Sequence, residues 1–299
     1  MRRGTIAAVV ALTAALMLSG CGSSSLNDTG QHKSTVTSSV NKAAAAMVPK
    51  AIKDKGTLVV GSDASYAPSE FLAGDGTTVE GFDVDLFNAV AKTLGLKATY
   101  QNAKFGSIIS GVNSGKFDIG VSSFSIDADR EKSATMVSYF SAGTLWAVAS
   151  GNPKKIDPTK PCGIRVAVQS STTQSLDQLP PLVKACQKAG KPTHVDSYDQ
   201  QNQATAAVVS GKDDAMLADS PVIAYAVKQS KGKLEAVGSI FASAPYGYVL
   251  PKSETDFGKA IVAALKVLQS NGEYEKILKS WGVEQGAISD FVVNPPATS

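Results

Sequence analysis

From Thr57 onward the chain alternates short apolar runs with amphipathic ones, stops at a turn-rich break, and then starts the same alternation again. In the first series "TLVVGS" (57–62), "KATYQ" (97–101), "FDIGVSS" (117–123) and "GTLWAVAS" (143–150) read as strands. Between them "GFDVDLFNAVAKTLGL" (81–96) places Phe82, Leu86, Val90 and Leu94 one helical turn apart, with Asp83 as its expected N-cap and Gly95 as its stop. "GSIISGVNSG" (106–115) reads as a short helix. After "GNPKKIDPTKPC" (151–162) come the strands "GIRVAVQ", "THVDSY", "DDAMLAD", "LEAVGS" and "YGYVLP". Helices are expected at "STTQSLDQL", interrupted by Pro180–Pro181, and at "QATAAVVSG", "PVIAYAVKQS", "ETDFGKAIVAALKVLQSNG" and "EYEKILKSWG". Strands alternating with helices predict an α/β unit with a mostly parallel sheet, and two such series in 299 residues predict two α/β lobes.

In each series one strand runs into a Ser/Thr-rich turn at a helix start: "VSSFS" (121–125) and "VQSSTT" (168–173). Ligands of open α/β sheets bind outside the carboxyl ends of strands, and two lobes can close over one ligand from both sides. The first turn continues through "IDADREK" to Arg130. Taken alone, Arg130 reads as a solvated helix residue paired with Asp127 or Glu131. The competing reading is a guanidinium that forks onto a carboxylate, which a lysine cannot do. The two-residue period of a strand turns Ser123 and Ser125 to one side and Ser122 to the other. Asp219, just before Ser220–Pro221, reads as an N-cap, a ligand partner, or both.

Composition narrows the function classes. The net charge is +3, and loss of Arg2 and Arg3 with residues 1–20 leaves +1. No basic run interleaves with aromatic residues, so nucleic acid is not an expected partner. "MRRGTIAAVVALTAALMLSGC" carries two arginines and an apolar run from Ile6 to Leu18, too short to span a bilayer and suited to a signal peptide. Its end, "LSGC", resembles a bacterial lipobox, which implies cleavage after Gly20 and a lipid on Cys21 as membrane anchor. Residues 21–50, rich in Ser, Thr, Asn and Ala, then read as a flexible tether. With Cys21 lipidated, Cys162 and Cys186 remain in an oxidising compartment, as one disulfide or as two buried thiols. His32 and His194 stand away from cysteines and paired carboxylates, so neither a metal nor a cofactor is expected.

The chain closely resembles the solute-binding proteins of ABC importers in the polar amino-acid family, bacterial extracellular solute-binding protein family 3. The resemblance runs from about Thr57 to Gly282 and rests on "GSDASYAPSEF" (61–71), "GFDVDLFNAVAKTLGL" (81–96), "FGSIISGVNSGKFDIGVSSFSIDADREK" (105–132), "VAVQSSTTQ" (166–174), "DDAMLADSP" (213–221) and "YGYVLP" with "ALKVLQSNGEYEKILKSWG" (246–251 and 264–282). It implies a type II periplasmic-binding-protein-like α/β fold, two lobes joined by a two-strand hinge. Lobe 1 would span 51–149 and the returning 245–285, lobe 2 would span 150–244, and 286–299 would form a loosely attached tail. It also implies roles. Arg130 would fork onto a ligand's α-carboxylate, with Ser123 and Ser125 bonding its backbone. Ser171, Thr172 and Thr173 would bind the same carboxylate from lobe 2, and Asp219 would pair with the α-ammonium. Tyr66 and Phe105 would wall the side chain, and Asp63 and Gln169 would meet its polar end. Ser69 stands where the family commonly has phenylalanine, and Ala218 where some relatives carry a larger or polar residue. Side-chain preference therefore stays open between cationic and amide ligands.

The function implied is that of a monomeric, lipid-anchored protein on the extracytoplasmic face, which captures a free polar amino acid and hands it to an ABC permease. Two alternatives share the fold. One is a solute sensor for a membrane signalling partner. The other is a cyclohexadienyl dehydratase-like enzyme, for which Glu70 is the matched position able to serve as an acid.

Overall fold

The computed structural model describes Met1 and residues 37–296. In chain order the elements are α1 (Lys42–Ala46), α2 (Lys50–Lys55), β1 (Thr57–Ser62), β2 (Ser65–Tyr66), β3 (Glu70–Leu72), β4 (Val79–Glu80), α3 (Phe82–Thr93), β5 (Lys97–Asn102), α4 (Phe105–Asn113), β6 (Ile119–Ser125), α5 (Ala128–Ser133) and β7 (Ala134–Ala149). There follow β8 (Arg165–Gln169), α6 (Leu179–Lys188), β9 (His194–Tyr198), α7 (Gln201–Val209), β10 (Ala215–Asp219), α8 (Ser220–Gln229), β11 (Leu234–Pro251), α9 (Thr255–Ser270) and α10 (Glu273–Trp281). Eight strands are hydrogen-bonded in the order β5-β1-β6-β11-β7-β10-β8-β9, and β2, β3 and β4 form a small separate sheet. β1 lies parallel to β5 and β6, and β8 parallel to β9 and β10, as the strand–helix alternation predicts.

The link between the lobes is made by β7 and β11, which pair antiparallel from Ala134↔Pro251 to Ala149↔Leu234. The Tyr246–Val249 end of β11 pairs with β6, and the Thr144–Val148 part of β7 pairs with β10. Each long strand thus belongs to one lobe at one end and to the other lobe at the other. The register shifts between Val237 and Phe241, between Phe241 and Ala244, and again between Tyr246 and Gly247. Such bulges interrupt a ladder and let it bend. "LEAVGS" and "YGYVLP", expected as two strands, are parts of the one continuous strand β11 that crosses between lobes.

Helices cover both faces of the sheet in each lobe. In lobe 1, Phe82, Leu86 and Val90 of α3 pack with Ile261, Leu265 and Leu268 of α9 and Ile277 of α10. On the opposite face Ile108 and Val112 of α4 pack with Phe117, Phe124, Met136 and Val249. Lobe 2 repeats the plan, with Ala204, Val208 and Ile223 of α7 and α8 on one side and Trp146, Val166, Val168 and Leu179 on the other.

Four local expectations are corrected. Asp83 does not cap α3. Gly81 is the N-cap residue, at φ 141°, and a Cβ there would lie 2.0 Å from the Ser69 carbonyl oxygen. Asp83 instead turns inward from the first turn and is buried. Pro180 and Pro181 do not interrupt a helix. They stand at the join between a π-helical turn, Gln174–Gln178, and α6, in an opening turn where a missing N–H is tolerated. The tail is docked: Phe291 is buried, Val292 receives the Ser138 N–H, and Asn294 exchanges hydrogen bonds with Met136. Part of the expected tether is docked as well. The Thr37 N–H donates to Glu273 at 2.6 Å, and Ala44 and Val48 enter the lobe 1 core. Cys21 and the signal peptide lie outside the described residues.

Cys162 and Cys186 are joined in a disulfide across 24 positions, tying the segment before β8 to α6. Closing a loop of that length stabilises by roughly 3 kcal/mol through the unfolded chain. Reduction is expected to lower the denaturation midpoint accordingly while leaving ligand affinity unchanged, measured in urea with and without reductant.

Candidate functional site

The carboxyl ends of β1 and β6 in lobe 1 point toward those of β8 and β10 in lobe 2, and the polar residues stand where those strands stop. Asp63 follows β1 and caps α4 from outside, accepting the Phe105 N–H at 3.1 Å. At the end of β6 the backbone takes φ 50° at Ser123, a left-handed value that breaks strand alternation. Arg130 stands on α5, whose N-cap Asp127 accepts the Arg130 N–H. In lobe 2, Thr172 and Thr173 stand at a helix start, where the first N–H groups lack intrahelical acceptors and favour an anion.

A narrow cavity lies between the lobes, with about 290 Å³ of space around it, part of that open to solvent. Asp63, Tyr66, Phe105, Ser123, Ser125 and Arg130 line it from lobe 1, and Gln169, Thr172, Thr173 and Asp219 from lobe 2. Ser171 is not in that wall. It lines an adjoining opening with Asp127, Leu176 and Asp177, because its own φ of 65° turns it toward Gly106.

Arg130 is not a solvated helix residue. Its side chain is 11% exposed, and its guanidinium lies 5.5 Å from the centres of both the Phe105 and Phe124 rings. The guanidinium donates to the Ser125 carbonyl at 2.7 Å and stands 3.3 Å from Asp127. Burial lowers its pKa, and the charges of Asp127 and Asp219 oppose that shift. Asp219 is buried and makes no capping bond with its side chain. It accepts from Tyr66 at 2.8 Å, Tyr246 at 2.6 Å and Gln174 at 2.7 Å. Burial raises its pKa against those three donors. Asp63 accepts from Ser65 and from Gln169 Nε2, both at 2.7 Å, and burial raises its pKa too.

Several of these bonds cross from lobe to lobe. Tyr66 reaches Asp219, Gln169 reaches Asp63, and Arg130 reaches the Ser171 carbonyl at 3.4 Å. Outside the cavity, Lys104 pairs with Asp199 at 2.5 Å and the Gln201 N–H donates to Ser65 at 3.1 Å. The lobes are therefore in direct contact through the cavity wall and outside it.

Three wall residues were not assigned to ligand binding from the sequence, where Glu70 was named only as a possible acid. Ser122, expected to point away, lines the cavity, donates to Glu70 at 3.0 Å and accepts the Asp63 N–H at 3.0 Å. Glu70 itself is fully buried on β3, and burial, followed by the charge of Asp83, raises its pKa well above the usual carboxylate range. Gln174 completes the wall beside Asp219. Tyr246, on a strand shared by both lobes, was missed because only the paired register of β11 brings it to Asp219. Among the described residues no group of three or more His, Cys, Asp or Glu is arranged to hold a metal ion, and no helix is long and apolar enough to cross a membrane.

Residues 58–284 match the model of the bacterial extracellular solute-binding proteins, family 3. The arginine-binding protein ArgT of Corynebacterium glutamicum is 36% identical over 250 residues, covering 83% of this chain and 82% of that protein. Among solved structures, an ancestral arginine-binding protein bound to arginine superposes with a TM-score of 0.69 at 31% identity, over 76% of this chain and 98% of that one. The ancestral amino acid-binding protein AncCDT-1, a precursor of cyclohexadienyl dehydratase, gives 0.68 at 32% identity, over 77% and 97%. With its type II two-lobed α/β fold, this chain belongs to the bacterial extracellular solute-binding proteins of family 3.

Proposed function

We propose that the protein captures a free amino acid with a cationic side chain, arginine above all, and delivers it to an ABC permease from a lipid anchor at Cys21 on the extracytoplasmic face. Lobe 1 (51–149 with 245–285) and lobe 2 (150–244) would close on the ligand as a monomer. The observation that carries this reading is the charge balance of the cavity wall. Three carboxyl groups, Asp63, Glu70 and Asp219, face one guanidinium, Arg130. The backbone end of an amino acid brings one negative and one positive charge, which Arg130 and Asp219 would meet. Asp63 and Glu70 are then left for the side chain, and buried carboxylates call for a cation. Gln169 Oε1 is also buried without a donor, so a guanidinium with its five N–H groups suits this end of the cavity better than a side chain with few donors. The arginine-binding relatives support the same ligand class.

A dissociation constant near 1 μM corresponds to about 8 kcal/mol, within reach of two buried charge pairs and an aromatic wall. In a thermal-shift screen of the free amino acids, arginine at about 100 times its dissociation constant is expected to add about 2.7 kcal/mol, several degrees for a body of this size. A screen in which no cationic amino acid raises the melting temperature would contradict the ligand class.

One feature favours a second reading. Glu70 is a carboxyl group in the cavity wall whose pKa is raised by burial and then by the charge of Asp83, the direction an acid-catalysed dehydration requires. Incubation with prephenate or arogenate tests it. The proposed binding function predicts that both remain unconverted.

A further inference from the structure

Behind the cavity wall Glu70 meets a second carboxyl group, that of Asp83, which does not line the cavity. Both side chains are fully buried. Asp83 Oδ2 accepts three bonds, from the Ser123 N–H at 3.0 Å, the Ser123 hydroxyl at 3.2 Å and the Tyr139 hydroxyl at 2.6 Å. Glu70 Oε1 accepts from Ser122. The other oxygens, Glu70 Oε2 and Asp83 Oδ1, are buried and receive no N–H or O–H, and the charge of Asp83 disfavours ionisation of Glu70. One proton between two such buried carboxyl groups gives both orphan oxygens a partner and removes their repulsion, so the pair is suited to one proton and one negative charge. We propose that Asp83 is a specificity-determining residue that acts through Glu70: by sharing a proton with it, Asp83 sets the charge Glu70 presents to the ligand side chain, and entry of a cationic side chain expels that proton.

The surroundings favour a single shared proton. The pair is faced by Ser122 and Ser123 from β6, Tyr139 from β7, Asp63 after β1, Tyr66 from β2, Tyr100 from β5 and Tyr248 from β11. The ionisation of each of these tyrosines is pushed further up by burial, so each stays neutral. None of these groups is a cation, and Arg130 interacts instead with Asp127, Asp219 and Asp177. Burial raises Asp83 to about 6 and Glu70 well above the ordinary range. The proton is shared by the pair, and Glu70, the member that lines the cavity, is the one whose pKa a ligand reaches. A guanidinium beside Glu70 lowers that value, and the proton leaves to solvent.

The sign follows. The free protein must lose a proton to bind a cation, so affinity for arginine rises with pH above about 6, by up to about tenfold per pH unit, until the pair is ionised in the free protein. An amide ligand such as glutamine can accept the Glu70 proton in a hydrogen bond and draws no such dependence from this pair. Low pH thus narrows the preference for arginine over glutamine, and high pH widens it.

This inference rests on the cationic reading of the cavity. The test is calorimetric titration of the intact protein with L-arginine in buffers of different ionisation enthalpy, which counts protons and needs no variant. Wild type is expected to release a substantial fraction of one proton per arginine near pH 7. Asp83→Asn keeps an acceptor for Ser123 and Tyr139 but removes the neighbouring charge, so Glu70 ionises more readily. It is expected to bind arginine with a flatter pH profile, several-fold tighter at pH 6, and with less proton release. Glu70→Gln is expected to bind arginine at least about tenfold more weakly at pH 8, again with less release, since one lost charge-assisted bond has about that effect. Arginine binding with no proton release, or equal release by wild type and Asp83→Asn, overturns the role of Asp83 and leaves the cationic reading intact. Failure of wild type to bind any cationic amino acid overturns that reading, and this inference with it.

Discussion

Arg130→Ala is expected to weaken amino-acid binding by about 2–5 kcal/mol, roughly 30-fold to several-thousand-fold, the range for removing one member of a buried charge pair. The reason lies in how the guanidinium is held. Phe105 and Phe124 stack at 4.5 Å and lie beside it, and the Ser125 carbonyl and Asp127 fix its orientation. A cation so enclosed has little water to compensate it, and a carboxylate entering the cavity supplies what is missing. Arg130→Lys should recover only part of the loss, because an ammonium cannot form two parallel bonds to a carboxylate. Both variants should keep the melting temperature of the empty protein within a few degrees, since α5 keeps its Asp127 cap. Calorimetry showing unchanged affinity for Arg130→Ala would remove Arg130 from the site.

Asp219→Ala is expected to act on binding and on stability together. It removes the proposed partner of the α-ammonium, again about 2–5 kcal/mol of binding. It also leaves the hydroxyls of Tyr66 and Tyr246 and the Gln174 amide without their acceptor in a buried place. Each unsatisfied donor costs about 1–3 kcal/mol unless water enters or the side chain turns away. Asp219→Asn separates the two effects. It keeps an acceptor and the shape, so the melting temperature should fall less than in Asp219→Ala, while affinity should still drop strongly because the charge is gone. Equal affinities for wild type and Asp219→Asn would show that the ammonium is held elsewhere.

The legible part of the site was local in sequence. "VSSFS…DREK" and "VQSSTT" each join a strand end to a helix start within a few residues, so their polar groups could be assigned together. Arg130 shows the limit of that reading. Its neighbours Asp127 and Glu131 suggested a solvated charge run, and only the packing of Phe105 and Phe124 from separate elements reveals a buried cation. Glu70 and Asp83 illustrate a different limit. Asp83 sits two residues after Gly81 and looks like a cap, because nothing local records that α3 turns its first turn toward β6 and β7. The same holds for Tyr246 at Asp219, for Thr37 at Glu273 and for the tail at Ser138. Each is a contact between distant segments, fixed by strand register or by packing of whole helices. The lobes themselves were legible because alternating periodicity is a property of each segment. Their join was not, because β7 and β11 read as separate short strands until they are paired.

The central claim is that Arg130 and Asp219 hold the two charges at the backbone end of a free cationic amino acid. The most direct measurement is calorimetric titration with L-arginine and with agmatine, which keeps the guanidinium and lacks the α-carboxylate. The predicted result is saturable one-to-one binding of arginine, with agmatine weaker by at least about 30-fold, the effect of about 2 kcal/mol. Equal affinity for the two would contradict carboxylate recognition by Arg130.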